Sequence, residues 1–314
     1  MHVRLKTVLL SLLVAVLVPP VATAQEPSLP PMQFLPDDAI ISPAAGNQTD
    51  PAIAAGDDSF LVVWSDRRAA DGASLVYEVE TSNDIYAVRL DANGNPIDEV
   101  PFVVTQGRAT QSHPQVAWNG SNWLVVYQTI NVSGTGFYYS AALEAVRVSP
   151  DGQVLDTTPI NVGRSSASSS VNWALASDGA NWVVIDDGTY SDQGDIMAVR
   201  ISGDGVVLDQ PAQLIAPADN GLRFNLRLAY TSNTFLAVWN GNGGIRGMRF
   251  DRNLNTQDAT PLTLLAGSSH EPEVTADGSN FYMVWQAQQP DFTMAIQGSR
   301  IDTSGVMLDG AGLN

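Results

Sequence analysis

Five polar residues stand at equivalent places along the chain. They are Asp50, His113, Asn172, Asn225 and Glu271, each directly ahead of a short, mostly apolar segment. Two positions further on come Ala52, Gln115, Ala174, Arg227 and Glu273, and His270 precedes Glu271. Carboxylates and imidazoles exchange protons readily, so these residue types suit general acid–base chemistry. A pair of carboxyl groups that protonates a leaving oxygen and activates water is what glycoside hydrolysis requires. If the chain is an enzyme, Asp50, His113 and Glu271 are the residues to carry the reaction. No nucleophile–base pair is visible in the sequence. The same funnel of polar groups suits binding of a polar ligand without reaction.

Two other constellations have chemical content. Asp186, Asp187 and Asp195 form an oxygen-rich group, the kind of ligand set that calcium takes. Asp186 also stands where sister segments carry Trp or Tyr, and such a break in local consistency marks a functional or strained site. Phe137, Tyr138 and Tyr139 are consecutive aromatics in a polar loop. Rings of that kind stack against the apolar faces of sugars.

The elements that position these residues are repeated five times. An aromatic followed by apolar residues recurs as Phe60–Trp64, Trp123–Tyr127, Trp182–Asp186, Phe235–Trp239 and Phe281–Trp285. A second piece ends in arginine at Arg89, Arg147, Arg200, Arg249 and Arg300. Each arginine is followed nine positions later by an aspartate: Asp98, Asp156, Asp209, Asp258 and Asp309. A residue pair present in all five units reads as a cross-strand ion pair that fixes register. Asp-Gly and Asn-Gly turns separate the segments, as tight hairpins require. Each unit therefore reads as four short antiparallel strands, A to D, and repetition at this period implies a propeller or array. Asp91–Gly94 lacks the twelve-residue spacing and terminal glutamate of an EF-hand loop and sits in phase with the turns.

The last unit ends without its strand D. Asp38–Ser42, ahead of Asp50-Pro51, matches Pro101–Thr105 ahead of His113-Pro114. The expected fold is all-β: a five-bladed β-propeller of four-stranded antiparallel blades, closed by an N-terminal strand that completes the last blade. Closure removes the free sheet edge of an open array. The pattern resembles bacterial secreted β-propeller repeats, over about residues 37–314, and the likeness is to the repeat alone. On such a scaffold the D–A and B–C loops gather around the channel mouth, and Asp50 and Glu271 are expected to be neighbours where the ring closes. Five-bladed propellers include glycosidases acting on arabinan and fructan, which place carboxylates on the inner strands of the first three blades. Here blades 2 and 3 offer His113 and Asn172 instead.

Composition limits the partners. The chain has 314 residues, 33 acids against 15 bases, a net charge of −18 and no cysteine. The negative charge disfavours nucleic acid and anionic membranes. The missing cysteine removes disulfides, thiolate catalysis and Cys-based metal sites. Residues 1–24 read as a signal peptide: Arg4 and Lys6, an apolar run to Val18, then Ala22-Thr23-Ala24. Residues 25–36 form a proline-rich segment, and 37–314 the propeller. The expectation is a secreted or periplasmic protein with no membrane insertion of the mature chain. It would bind a glycan or an extracellular or envelope protein without catalysis, needing no cofactor beyond possible calcium. A glycoside hydrolase-like enzyme and a purely structural surface module are the alternatives.

Overall fold

The structure is a computed structural model that describes residues 47–68, 83–107, 109–132, 139–166, 172–187, 194–218, 223–289, 291–310 and 312–313. Every regular element among them is a β-strand. Blade 1 comprises β1 (Gln48–Ala55), β2 (Ser59–Asp66), β3 (Asp84–Asp91) and β4 (Phe102–Thr105). Blade 2 comprises β5 (Thr110–Trp118), β6 (Trp123–Val132), β7 (Tyr139–Val148) and β8 (Ile160–Ser166). Blade 3 comprises β9 (Trp173–Ser177), β10 (Trp182–Asp186), β11 (Ile196–Ile201) and β12 (Gln213–Ala216). Blade 4 comprises β13 (Phe224–Thr231), β14 (Thr234–Gly241), β15 (Gly244–Asp251) and β16 (Leu262–Ala266). Blade 5 comprises β17 (Ser269–Ala276), β18 (Phe281–Gln288) and β19 (Met294–Ile301). Each is an antiparallel meander in chain order, and together they form the expected five-bladed β-propeller.

Blade 5 has three strands among the described residues. Leu313 makes a bridge to Gly298, with backbone bonds of 2.8 and 3.0 Å. This is the place that Phe102 takes opposite Ala87 at the start of β4. The segment Asp38–Ser42, expected to complete this blade, lies outside the described residues.

The repeated aromatics build the core between blades. Trp123, Trp182, Trp239, Trp285, Phe235 and Phe281 are fully buried. Successive side chains on a strand point to opposite faces, so each second strand serves two neighbours. Trp123, Val125 and Tyr127 join the blade 1 cluster, whereas Leu124 and Val126 join that of blade 3. Two further clusters join blades 3 to 4 and blades 4 to 5 in the same way. Burying one such side chain contributes about 2 kcal/mol or more.

The arginine–aspartate pairs form in all five blades, with closest distances of 2.5 to 2.8 Å. They also do something the sequence did not indicate. In four blades the free guanidinium nitrogen reaches the next blade: Arg89 to the Pro150 carbonyl, Arg147 to Gly203, Arg200 to Arg252 and Arg249 to Thr303. The pair therefore fixes a hairpin and clasps two blades together.

Candidate functional site

The five polar positions come from the entry of each inner strand. The sequence places them ahead of strand A, but β1, β5, β13 and β17 already run through them. Asp50, His113, Asn225 and Glu271 share a left-handed backbone, with φ of 54°, 52°, 54° and 52°. At each the pairing register with the second strand shifts, which marks a β-bulge. A left-handed conformation costs a non-glycine residue roughly 1–2 kcal/mol. Its recurrence at four equivalent positions shows a built-in device that re-aims one side chain per blade.

Pro51, Pro114 and Pro272 follow three of these residues and present no amide to satisfy. In blade 4 the follower is Leu226, whose N–H needs a partner. Asn172 of blade 3 supplies it, its Oδ1 accepting from Leu226 N at 3.0 Å. The other end of that amide donates to Asp187 Oδ2 at 3.3 Å, and Asp187 N donates to the Asn172 carbonyl at 3.1 Å. Blade 3 thus brings a carboxyl to the rim from its second strand, beside the residue aligned with Asp50. Burial pushes the Asp187 carboxyl up to about 6, and the neighbouring Asp186 charge pushes the same way. The Asn172 bonds work against this rise without cancelling it.

The remaining positions differ in use. Asp50 Oδ2 lies 4.0 Å from His113 Nε2, and both side chains are open to solvent. The Gln115 amide is consumed by a clasp to blade 3, donating to the Trp173 carbonyl at 2.9 Å and accepting from Leu175 N at 3.1 Å. Arg227 pairs with Glu273 at 2.7 Å across blades 4 and 5. Glu271 accepts from the Gln286 amide through its carboxylate, and its N–H donates to Asn240 Oδ1 at 3.1 Å. With Oδ1 so occupied, the Asn240 amide donates to His270 Nδ1 at 3.3 Å, leaving the imidazole proton on Nε2.

Asn240 and Gln286 were not singled out from the sequence. A signal for them existed: the residue after the apolar motif is polar in every blade, as Ser65, Gln128, Asp187, Asn240 and Gln286. Three of these five buttress the rim, and Asp187 alone among the five is ionisable.

No hydrogen bond or ion pair joins Asp50 to Glu271 among the described residues. The expected aspartate cluster is corrected. Asp186, Asp187 and Asp195 do not converge. Asp186 is buried on the face of Trp182 and Val184, and Asp187 continues the ladder on the opposite face, toward blade 4. Asp195 accepts from Ala218 N at 2.6 Å, a loop strut that Asp84 repeats with Gly107 N at 3.2 Å in blade 1. No group of three or more His, Cys, Asp or Glu suited to a metal occurs among the described residues. Tyr138 lies outside them, and Tyr139 opens β7.

No protein family matches the sequence, and no curated protein matches it. Solved structures do show similarity. An α-L-arabinofuranosidase from Podospora anserina in complex with cellotriose aligns at 13% identity and TM-score 0.44, over 84% of this chain and 92% of that one. A GH43 β-xylosidase/α-arabinofuranosidase from a compost microbial metagenome, in complex with xylotriose, aligns at 11% and 0.45, over 84% and 94%. An exo-β-1,3-galactanase from Phanerochaete chrysosporium with galactose aligns at 10% and 0.48, over 90% and 67%. The rim holds carboxyl groups in unlike environments, one of them half-buried, which suits the glycoside hydrolase-like alternative and not the non-catalytic binder expected from the sequence.

Proposed function

We propose that this chain is a glycoside hydrolase-like enzyme that acts on a glycan at the mouth of the propeller channel. One observation carries the reading: a single rim holds a half-buried carboxyl, Asp187, and an exposed carboxylate–imidazole pair, Asp50 and His113. Environments that push two carboxyl groups apart define an acid and a base.

In this reading Asp187, whose proton burial retains up to about pH 6, gives that proton to the departing glycosidic oxygen. The bond from that oxygen to the anomeric carbon breaks. A water molecule adds its oxygen to the same carbon and passes a proton to Asp50. His113 sits beside Asp50 and orients it. Glu271, fixed by Gln286 and Asn240, binds sugar hydroxyls. Residues 1–24 export the chain, so the glycan is one met outside the cytoplasm.

The test is release of reducing sugar from a polysaccharide panel by the chain beginning at Gln25. Release that disappears in both Asp187→Asn and Asp50→Asn supports the reading. Release unaffected by either substitution, or none from any polysaccharide, overturns it.

A further inference from the structure

The junction of blades 4 and 5 holds polar groups that the proposed proton transfers do not use. Phe224 opens β13 and is 55% exposed, an unusual place for a large ring on a rim of charged and amide groups. Its register partner is Asn240, the residue that holds His270 and the Glu271 amide. Paired residues on adjacent strands share a face, so Phe224 lies on the side that looks toward blade 5. Arg227 is on that side too, paired with Glu273, and each member is about one-third exposed. An aromatic plane, an imidazole, a guanidinium–carboxylate pair and a fixed carboxylate therefore border one patch.

We propose that this patch is a subsite for one neutral sugar ring of the glycan. The proposal deepens the glycoside hydrolase reading and rests on it for the nature of the substrate. The patch and a sugar ring are chemically complementary. One face of a sugar ring is lined by C–H groups, which pack on an aromatic plane, while its hydroxyls radiate sideways as both donors and acceptors. Phe224 supplies the plane. Arg227 supplies donors, and Glu273 and Glu271 supply acceptors, held in place before any ligand arrives by the Arg227–Glu273 pair and the Gln286 and Asn240 bonds. Preorganisation of this kind lowers the ordering cost of binding. A uronic acid is disfavoured, because two carboxylates face the patch and only one guanidinium answers them, within a chain of net charge −18.

Affinity electrophoresis tests this without relying on turnover. The chain from Gln25, Phe224→Ala and Arg227→Met are run in gels containing arabinan, xylan, galactan or polygalacturonate. The expected result is retardation of the parent by at least one neutral polysaccharide, weakened about tenfold by Phe224→Ala. The exposed ring makes Phe224→Ala neutral for melting temperature, so lost retardation reports binding rather than folding. Asp187→Asn, which should stop sugar release, should keep the retardation; the subsite and the chemistry thus fail separately. Absence of retardation by every neutral polymer, preference for polygalacturonate, or equal retardation of parent and Phe224→Ala would overturn the proposal.

Discussion

Asn172 holds Asp187 with one end of its amide and blade 4 with the other, accepting from Leu226 N at 3.0 Å while donating to the carboxylate at 3.3 Å. The amide cannot rotate without losing both bonds. The carboxyl is thereby fixed half-buried at the rim, where desolvation outweighs the hydrogen bonds it receives.

The first prediction concerns activity against pH. A proton donor held up to about 6 is lost as pH rises through that value. kcat/KM for the glycan should therefore fall about tenfold per pH unit above that point. Asp187→Asn should lower kcat/KM by about 10²–10⁴-fold and abolish this alkaline limb. A profile flat from pH 5 to 8 would assign the acid elsewhere.

The same group makes a prediction for stability. Its folded value lies above the ordinary 3.8, so between 3.8 and about 6 the folded state binds more protons than the unfolded. Stability then falls as pH rises through this window, and the loss is complete above it. Asp187→Asn keeps the amide contact to Asn172 without the charge. It should unfold at higher urea than the parent at pH 8, and the gap should close toward pH 3.5. A gap that widens on acidification would show the sign to be wrong.

The repeat made much of this molecule legible. The Phe60–Trp64 motif and its sisters, and the Arg89–Asp98 pair and its sisters, recur because every blade solves the same packing problem. Their places could be read before any coordinates. The rim was half legible. Alignment found Asp50, His113, Asn172, Asn225 and Glu271, but pairing within a motif says nothing of pairing between blades. Gln115 looked like a ligand group and is a clasp to β9. Asp187 looked like a metal ligand because Asp186 precedes it, yet strand alternation sends the two to opposite faces. Asn240 stayed hidden because its importance lies in bonds to the inner strand of the next blade, and Gln286 because it acts only by holding Glu271 of its own blade.

The clasps give a third prediction. Arg147 combines a pair to Asp156 with a bond to the Gly203 carbonyl, and its side chain is only 18% exposed. Arg300 keeps its pair to Asp309 but makes no inter-blade bond among the described residues, and is 49% exposed. Arg147→Ala should cost about 1.5–3 kcal/mol in urea unfolding, the range for charged hydrogen bonds. Arg300→Ala should cost clearly less. Equal losses would mean that the bond across blades adds nothing.

Glycine in the hairpins offers the sharpest test of the clasp. Gly205 has φ of 84°, and a Cβ there would lie 3.0 Å from Arg147 Nε and from Ile160 Cδ1. Gly94 has nearly the same φ, 81°, yet a Cβ there meets nothing within 4 Å. Both positions carry the left-handed penalty of roughly 1–2 kcal/mol when replaced by alanine. Only Gly205→Ala also displaces an arginine from the neighbouring blade. In blade 4 nature has placed Leu254 at this position, with φ of 65°, and the clasp there, Arg200 to Arg252, is the longest of the four at 3.5 Å. Gly205→Ala should therefore lower the unfolding midpoint more than Gly94→Ala. The difference should shrink when Arg147 is already alanine, because the two substitutions then act on one contact. Additive losses in the double variant would place the cost in the backbone alone.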